Sequence, residues 1–175
     1  MSFASRPATT SDTLTLSALA TQVFLDTYAT RGISSELARE AATVYAPAVF
    51  GQRLRDASVE LWLATSGGHA VGFVDVAFAT ACPVPGVGGA EVFRLYVQRP
   101  FLRQGVGRAL LAEAERIACG RGAGDVWLTA WVGNERALAF YRAQGYRDVG
   151  ATEYVIEGTS HENRVLCKRL ARVAA

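Results

Sequence analysis

The spacing of apolar and polar positions changes several times along the 175-residue chain, and each change marks an element. Leu16, Leu19, Val23 and Phe24 recur three or four residues apart, which predicts a helix capped by Asp12 and running to about Tyr28. A short strand from Phe3 to Ala8 precedes it. Ser34 or Ser35 starts a second helix, which Pro47 interrupts and which continues through Phe50 and Leu54 to near Asp56. The period then shortens. Val59 to Ala64 and Val71 to Phe78 read as an antiparallel hairpin around Ser66-Gly67-Gly68-His69. Residues 80–89, rich in proline and glycine, form a loop. Glu91 to Val97 is the next strand, followed by a helix from about Gly107 to Cys119. Val126 to Val132 is almost continuously apolar, which predicts a central strand. Asn134 caps a short helix to about Gln144, and Gly145 closes it. Tyr146 to Ile156 and Asn163 to Leu170 are the last strands, with a polar turn between them. The order β-α-α-β-β-β-α-β-α-β-β predicts a mixed sheet with helices packed on it, in one domain over 1–175.

Composition narrows the function. Half of the chain is hydrophobic and 19% is charged, which excludes a disordered chain. A chain of this length buries roughly 70% of its unfolded surface, enough for one core without covalent staples. The net charge of +2 supplies no field for nucleic acid or an acidic membrane. Every basic residue except Lys168 is an arginine, so the lysine of a phosphate-binding P-loop is missing. Cys82, Cys119 and Cys167 are widely spaced, which argues against a disulfide framework or a zinc site and for a reducing compartment. No apolar run is long enough to span a membrane, and the start lacks a secretory signal layout; the expectation is a cytoplasmic protein without a metal.

The candidate chemistry begins in the strand, turn and helix from Glu91 to Cys119. Arg103-Gln104-Gly105-Val106-Gly107-Arg108 joins the strand to the helix. Glycines there let backbone N–H groups converge, and the helix N-terminus adds partial positive charge, as a phosphate or pyrophosphate requires. Arg103 and Arg108 supply charge-assisted donors. The dinucleotide fingerprint fails because Leu110 stands where Gly or Ala is needed. From spacing alone, an anion cradle and a plain connecting turn stand equal.

A second segment follows the apolar strand: Asn134-x-x-Ala137-x-x-Phe140-Tyr141-x-x-x-Gly145-Tyr146. Together with Glu91-Val92-Phe93-Arg94-Leu95-Tyr96-Val97 and the 103–107 turn, it resembles the GCN5-related N-acetyltransferase (GNAT) superfamily. The turn fits that family's Gln/Arg-x-x-Gly-x-Gly/Ala pattern in two frames. One ends on Gly105 and Gly107, with Leu102 in the Gln/Arg place; the other runs Gln104-x-x-Gly107-x-Ala109. Thr27-Tyr28-Ala29 and Trp131-x-x-Asn134-x-Arg136-Ala137 look somewhat like the bacterial diamine and polyamine branch.

The resemblance implies an α/β fold. Its mixed, mostly antiparallel sheet has about seven strands and a splayed parallel central pair, flanked by about four helices. It implies acetyl-CoA as cosubstrate, with Leu95, Tyr96 and Val97 pairing with the pantetheine through backbone groups. Arg103, Gln104, Gly105, Val106, Gly107 and Arg108 would hold the pyrophosphate, and Asn134 would reach the cofactor. Tyr141 would face the sulfur and protonate the leaving thiolate, since a phenol is neutral at pH 7. Glu91, on the strand face of Phe93 and Leu95, is the candidate base for the incoming ammonium, directly or through water. A backbone N–H of the 91–97 strand would serve the oxyanion. Tyr28 and Trp131 are the candidate substrate-binding residues, and the segments around Tyr28 and up to Arg55 would wall the acceptor cleft.

Plainer roles stand beside these. Tyr141 also fits a packed helix aromatic, Glu91 a solvated strand start, and Asn134 an N-cap. His69 and His161 read as surface turn residues, and Cys119 and Cys167 as small buried hydrophobes. The leading reading is an N-acetyltransferase for a primary amine, small or on a protein; the alternative is a non-catalytic acyl-CoA sensor. The terminal strands leave a sheet edge that a homodimer would cover.

Overall fold

The computed structural model describes residues 3–156 and 158–171. Among these residues, seven strands and five α-helices follow the expected order, with the second expected helix split into two. They are β1 (Ala4–Pro7), α1 (Thr13–Tyr28), α2 (Ser35–Val44), α3 (Pro47–Arg53), β2 (Val59–Ser66), β3 (His69–Ala77), β4 (Ala90–Val97), α4 (Val106–Gly120), β5 (Asp125–Trp131), α5 (Glu135–Ala143), β6 (Arg147–Ile156) and β7 (Thr159–Arg169). The strands form one sheet in the order β1-β2-β3-β4-β5-β7-β6, mostly antiparallel with one parallel pair. The chain divides into two compact units, residues 1–75 with 94–112, and residues 76–93 with 113–175.

In the first unit, Leu16, Leu19, Ala20 and Phe24 of α1 lie buried with Phe50, Leu61, Leu63 and Phe73. The break between α2 and α3 has the expected cause. Pro47 brings no N–H and pushes Ala46 into extended geometry (φ −58°, ψ 146°), so the helix stops and restarts on the proline. Gly72 of β3 is required by close packing: a Cβ there would lie 2.7 Å from the Tyr96 carbonyl oxygen. The cap at Asp12 differs from expectation. A short 3-10 turn, Thr10–Asp12, precedes α1, and Asp12 makes no side-chain cap bond to it. Its carboxylate instead accepts the Thr9 N–H (2.8 Å) and both forks of Arg6 (2.7 and 2.8 Å). These bonds hold the Asp12 carboxyl down at about 2, the Arg6 guanidinium contributing most.

In the second unit, β5 pairs antiparallel with β7 from Asp125↔Arg169 to Trp131↔Asn163, and β7 with β6 from Arg147↔Cys167 to Ile156↔Thr159. A bulge between Asp148 and Gly150 shifts the β6 register. Val126, Trp127 and Leu128 are buried, as a central strand requires. The polar run Ser160-His161-Glu162-Asn163, expected as a turn, belongs to β7 instead, with His161 opposite Tyr154. An antiparallel ladder satisfies its backbone groups whatever the side chains, and one face of such a pair can stay wet. Gly89 (φ 99°) lets the chain enter β4 close beside β5, where a Cβ would fall 1.9 Å from the Asp125 carbonyl oxygen.

Candidate active site

The first unit carries the turn and the strand end expected to hold a cofactor. Gln98 N–H donates to the Val71 carbonyl (2.9 Å), which closes β4 against β3. The chain then makes a single 3-10 turn, Arg99–Phe101, before α4. Arg103 (φ 60°) and Gly105 (φ 88°) both take left-handed backbone conformations. For arginine that geometry is strained, and strain of this kind gathers at ligand clamps. The first backbone bond across the start of α4 runs from the Ala109 N–H to the Gly105 carbonyl (3.0 Å), so the N–H groups of Val106, Gly107 and Arg108 precede the helical ladder. Arg103, Gln104, Gly105 and Arg108 are exposed. These features fit a diphosphate. Gln104 is an exception within the set, because its side chain braces the turn by donating to the Pro100 carbonyl (2.7 Å). Of the two possible frames, the left-handed turn falls on Gly105, while Gly107 is an ordinary helical residue.

Leu95, Tyr96 and Val97 are half-buried. Their neighbours include a polar network that the sequence reading missed. Asp75 of β3 is 0% exposed and accepts Arg53 Nε (2.7 Å), Arg53 Nη2 (2.5 Å) and Arg94 Nη1 (3.2 Å). The Arg94 guanidinium lies 5.3 Å from the Tyr45 ring centroid and 5.6 Å from that of Phe50. The Tyr45 and Tyr96 hydroxyls are 2.9 Å apart. Burial, then the Tyr45 phenol, pushes the Tyr96 hydroxyl well above its ordinary range, and burial does the same to Tyr28. Both stay neutral donors at any physiological pH. Tyr28, expected to contact substrate, is half-buried at the end of α1 with its ring 5.1 Å from Phe24. The signal for the network lies in the sequence: a lone Asp in an apolar strand, and a lone Arg in another, need partners to be buried at all.

The second unit carries the proton-transfer candidates. β4 and β5 run parallel and register over Ala90↔Val126 and Glu91↔Trp127. Among the described residues the register goes no further along β4, and Phe93 is 44% exposed although its strand neighbour Val92 is buried. The Glu91 carboxylate sits at this end of the pair, on a residue 7% exposed. On α5, Tyr141 is 8% exposed, with its ring 5.2 Å from Phe140 and 5.8 Å from Tyr146. Its carbonyl accepts the Tyr146 N–H (3.1 Å), so the helix end ties the two residues together through the backbone. Burial first, then Glu115, pushes the Tyr146 hydroxyl up.

Asn134 is the α5 cap: its Oδ1 accepts the Ala137 N–H (3.1 Å), which leaves its amide donors for another group. Trp131 is half-buried, and its indole lies on the backbone at Gly133, where a Cβ would fall 2.5 Å from the ring. Only glycine permits that pose. Among the described residues no three His, Cys, Asp or Glu side chains gather as a metal site, and no helix is long and apolar enough to cross a membrane.

Comparison with known proteins places this geometry. Residues 27–146 match the sequence model of the acetyltransferase (GNAT) family. Among solved structures, the PaiA N-acetyltransferase from Thermoplasma acidophilum in complex with coenzyme A is 20% identical with a TM-score of 0.76, covering 97% of this chain and 99% of that one. The ribosomal-protein-alanine N-acetyltransferase from Brucella melitensis is 23% identical with a TM-score of 0.66, covering 95% and 99%. NAA60 from Arabidopsis thaliana in complex with a bisubstrate analogue is 18% identical with a TM-score of 0.68, covering 98% and 99%. At these identities the structural likeness speaks for the fold alone.

Proposed function

The chain belongs to the acetyltransferase (GNAT) family, and from that membership we propose that it transfers an acetyl group from acetyl-CoA to a primary amine bound in the same complex. The observation that carries this reading is the short parallel pair. Among the described residues of the second unit, β4 registers with β5 at Ala90 and Glu91 and not at Val92 or Phe93, and backbone groups of β4 past that register are the ones a ligand would pair with. Leu95, Tyr96 and Val97 supply those groups. The turn from Arg103 to Arg108 holds the diphosphate through its N–H groups and guanidiniums. Gln104 contributes its backbone, since its side chain braces Pro100.

Acetyl-CoA supplies the activated thioester, and the protein manages charge around it. Tyr141 donates its phenolic proton toward the departing sulfur. Glu91 takes the proton from the ammonium, directly or through water. A β4 N–H stabilises the negative charge that develops on the carbonyl oxygen. Asn134 anchors the cofactor, and Tyr28 and Trp131 contact the acceptor. On this proposal residues 1–175 form one catalytic domain. Three unpaired thiols fit a reducing, cytoplasmic setting, and the outer sheet edges fit a homodimer.

The test is thiol release from acetyl-CoA across polyamines, amino acids, aminoglycosides and peptide N-termini. Turnover with one class supports transfer and names the acceptor. Tight binding of CoA without turnover on any of them would replace the enzyme by an acyl-CoA sensor.

A further inference from the structure

The ion cluster on Asp75 has no part in the chemistry assigned so far. A carboxylate that is 0% exposed is costly, and it persists here because three charge-assisted hydrogen bonds from Arg53 and Arg94 meet it. Arg94 is itself 6% exposed and faces the rings of Tyr45 and Phe50. Apolar side chains of similar volume commonly stabilise a core as well as such a cluster does. What they lack is direction: a guanidinium fork accepts few orientations of its partner.

The position of the cluster gives that direction a use. Arg94 and Tyr96 alternate with Leu95, so their side chains leave β4 on one face and flank it. Arg94 is tied to Asp75, and Asp75 to Arg53 on α3. Tyr96 is tied to Tyr45, between α2 and α3, through the hydroxyl pair. The strand is therefore held on both sides of Leu95. We propose that Asp75 is a positioning residue for acetyl transfer, fixing the β4 backbone at Leu95–Val97 through Arg94. This rests on the functional reading above, in which that backbone meets the acyl donor. The same backbone pairs with the bound acyl donor and donates to the charge that develops, so its misplacement raises the acetyl-CoA KM, lowers kcat and leaves the amine KM.

Two variants test it: Asp75→Asn, and the apolar pair Asp75→Leu with Arg94→Met, which removes both charges should the single change fail to fold. The number of CoA sites per chain, from calorimetry, normalises every rate to folded protein. The expected result in each folded variant is a kcat about tenfold to a hundredfold lower per site, a raised acetyl-CoA KM, and an amine KM within about twofold. Amide hydrogen exchange at Leu95–Val97, measured without substrate, is expected to quicken at least about tenfold relative to β5. A folded apolar pair with wild-type kcat per site and unchanged exchange would overturn the proposal and leave the cluster as a stability element. A raised amine KM with unchanged kcat and unchanged acetyl-CoA KM would overturn it equally. A wild-type protein that acetylates no amine would instead defeat the functional reading, and the exchange measurement would still decide whether Asp75 fixes the strand.

Discussion

Each of the two units is held together internally by different means. In the first, helices lie on a sheet, and polar side chains do the fastening: Arg53–Asp75–Arg94, the Tyr45–Tyr96 hydroxyl pair, and Ser17 Oγ donating to the Tyr45 carbonyl (2.6 Å). In the second, the long ladders of β5, β7 and β6 do the work, and charges lie toward the outside. Arg164 pairs with Asp148 and Arg169 with Asp125 at partly exposed positions, while Lys168 reaches a half-buried Glu115 (2.7 Å). The reason is geometric. A strand bonds to its neighbour through its own backbone, which sets spacing and direction together. A helix has spent its backbone bonds internally, so apolar packing holds it down and only side chains can orient it.

Removing the Asp75 carboxylate breaks this contrast most sharply. Asp75→Ala leaves two guanidiniums facing each other, and urea unfolding should show a loss of about 3–5 kcal/mol. The matching change in the second unit, Arg164→Ala, should move the midpoint far less, because water reaches both partners of that pair. Next in size is Tyr141→Phe, which should lower kcat about a hundredfold while acetyl-CoA affinity holds; steady-state turnover with calorimetry separates the two. Gly89→Ala tests the second unit's reliance on close backbone approach. It should cost about 2–3 kcal/mol by thermal or urea unfolding, because the left-handed φ and the Asp125 carbonyl both oppose a Cβ.

A smaller effect than these losses tests the edge of the first unit. Arg6 holds the Asp12 carboxyl at about 2, below its ordinary 3.8. A depressed carboxyl stabilises the fold above its unfolded value and loses that stabilisation as pH falls through the folded one. Since Arg6 is 48% exposed, the screened contribution is about 1–2 kcal/mol. Asp12→Asn should therefore be less stable than wild type by that amount at pH 7, and the two should converge below about pH 2.

Local patterns were legible wherever the cause lay within a few residues. Pro47 stops a helix by its own missing N–H, Gly105 turns left-handed because nothing hinders it, and Asn134 caps the helix it precedes. The 91–108 and 134–146 segments could be read for the same reason, since each is a strand or cap, a turn and a helix in succession. Failures came where a partner was distant in sequence. Asp12 looked like a cap because its carboxylate is near a helix start, yet Arg6 took it. The polar residues 160–163 looked like a turn, yet β6 drew them into a ladder. Arg94, alone in an apolar strand, signalled a need for a partner but not which one, because Asp75 lies on another strand.

By itself the sequence determined the order of elements, the glycine turn before α4 and the helix carrying Tyr141, because backbone stereochemistry and hydrophobic period act over short spans. Tertiary structure decided which charges are buried and with whom, where the parallel strands part, and that the indole of Trp131 lies on Gly133. Such facts depend on desolvation and close packing, which exist only once remote segments have met.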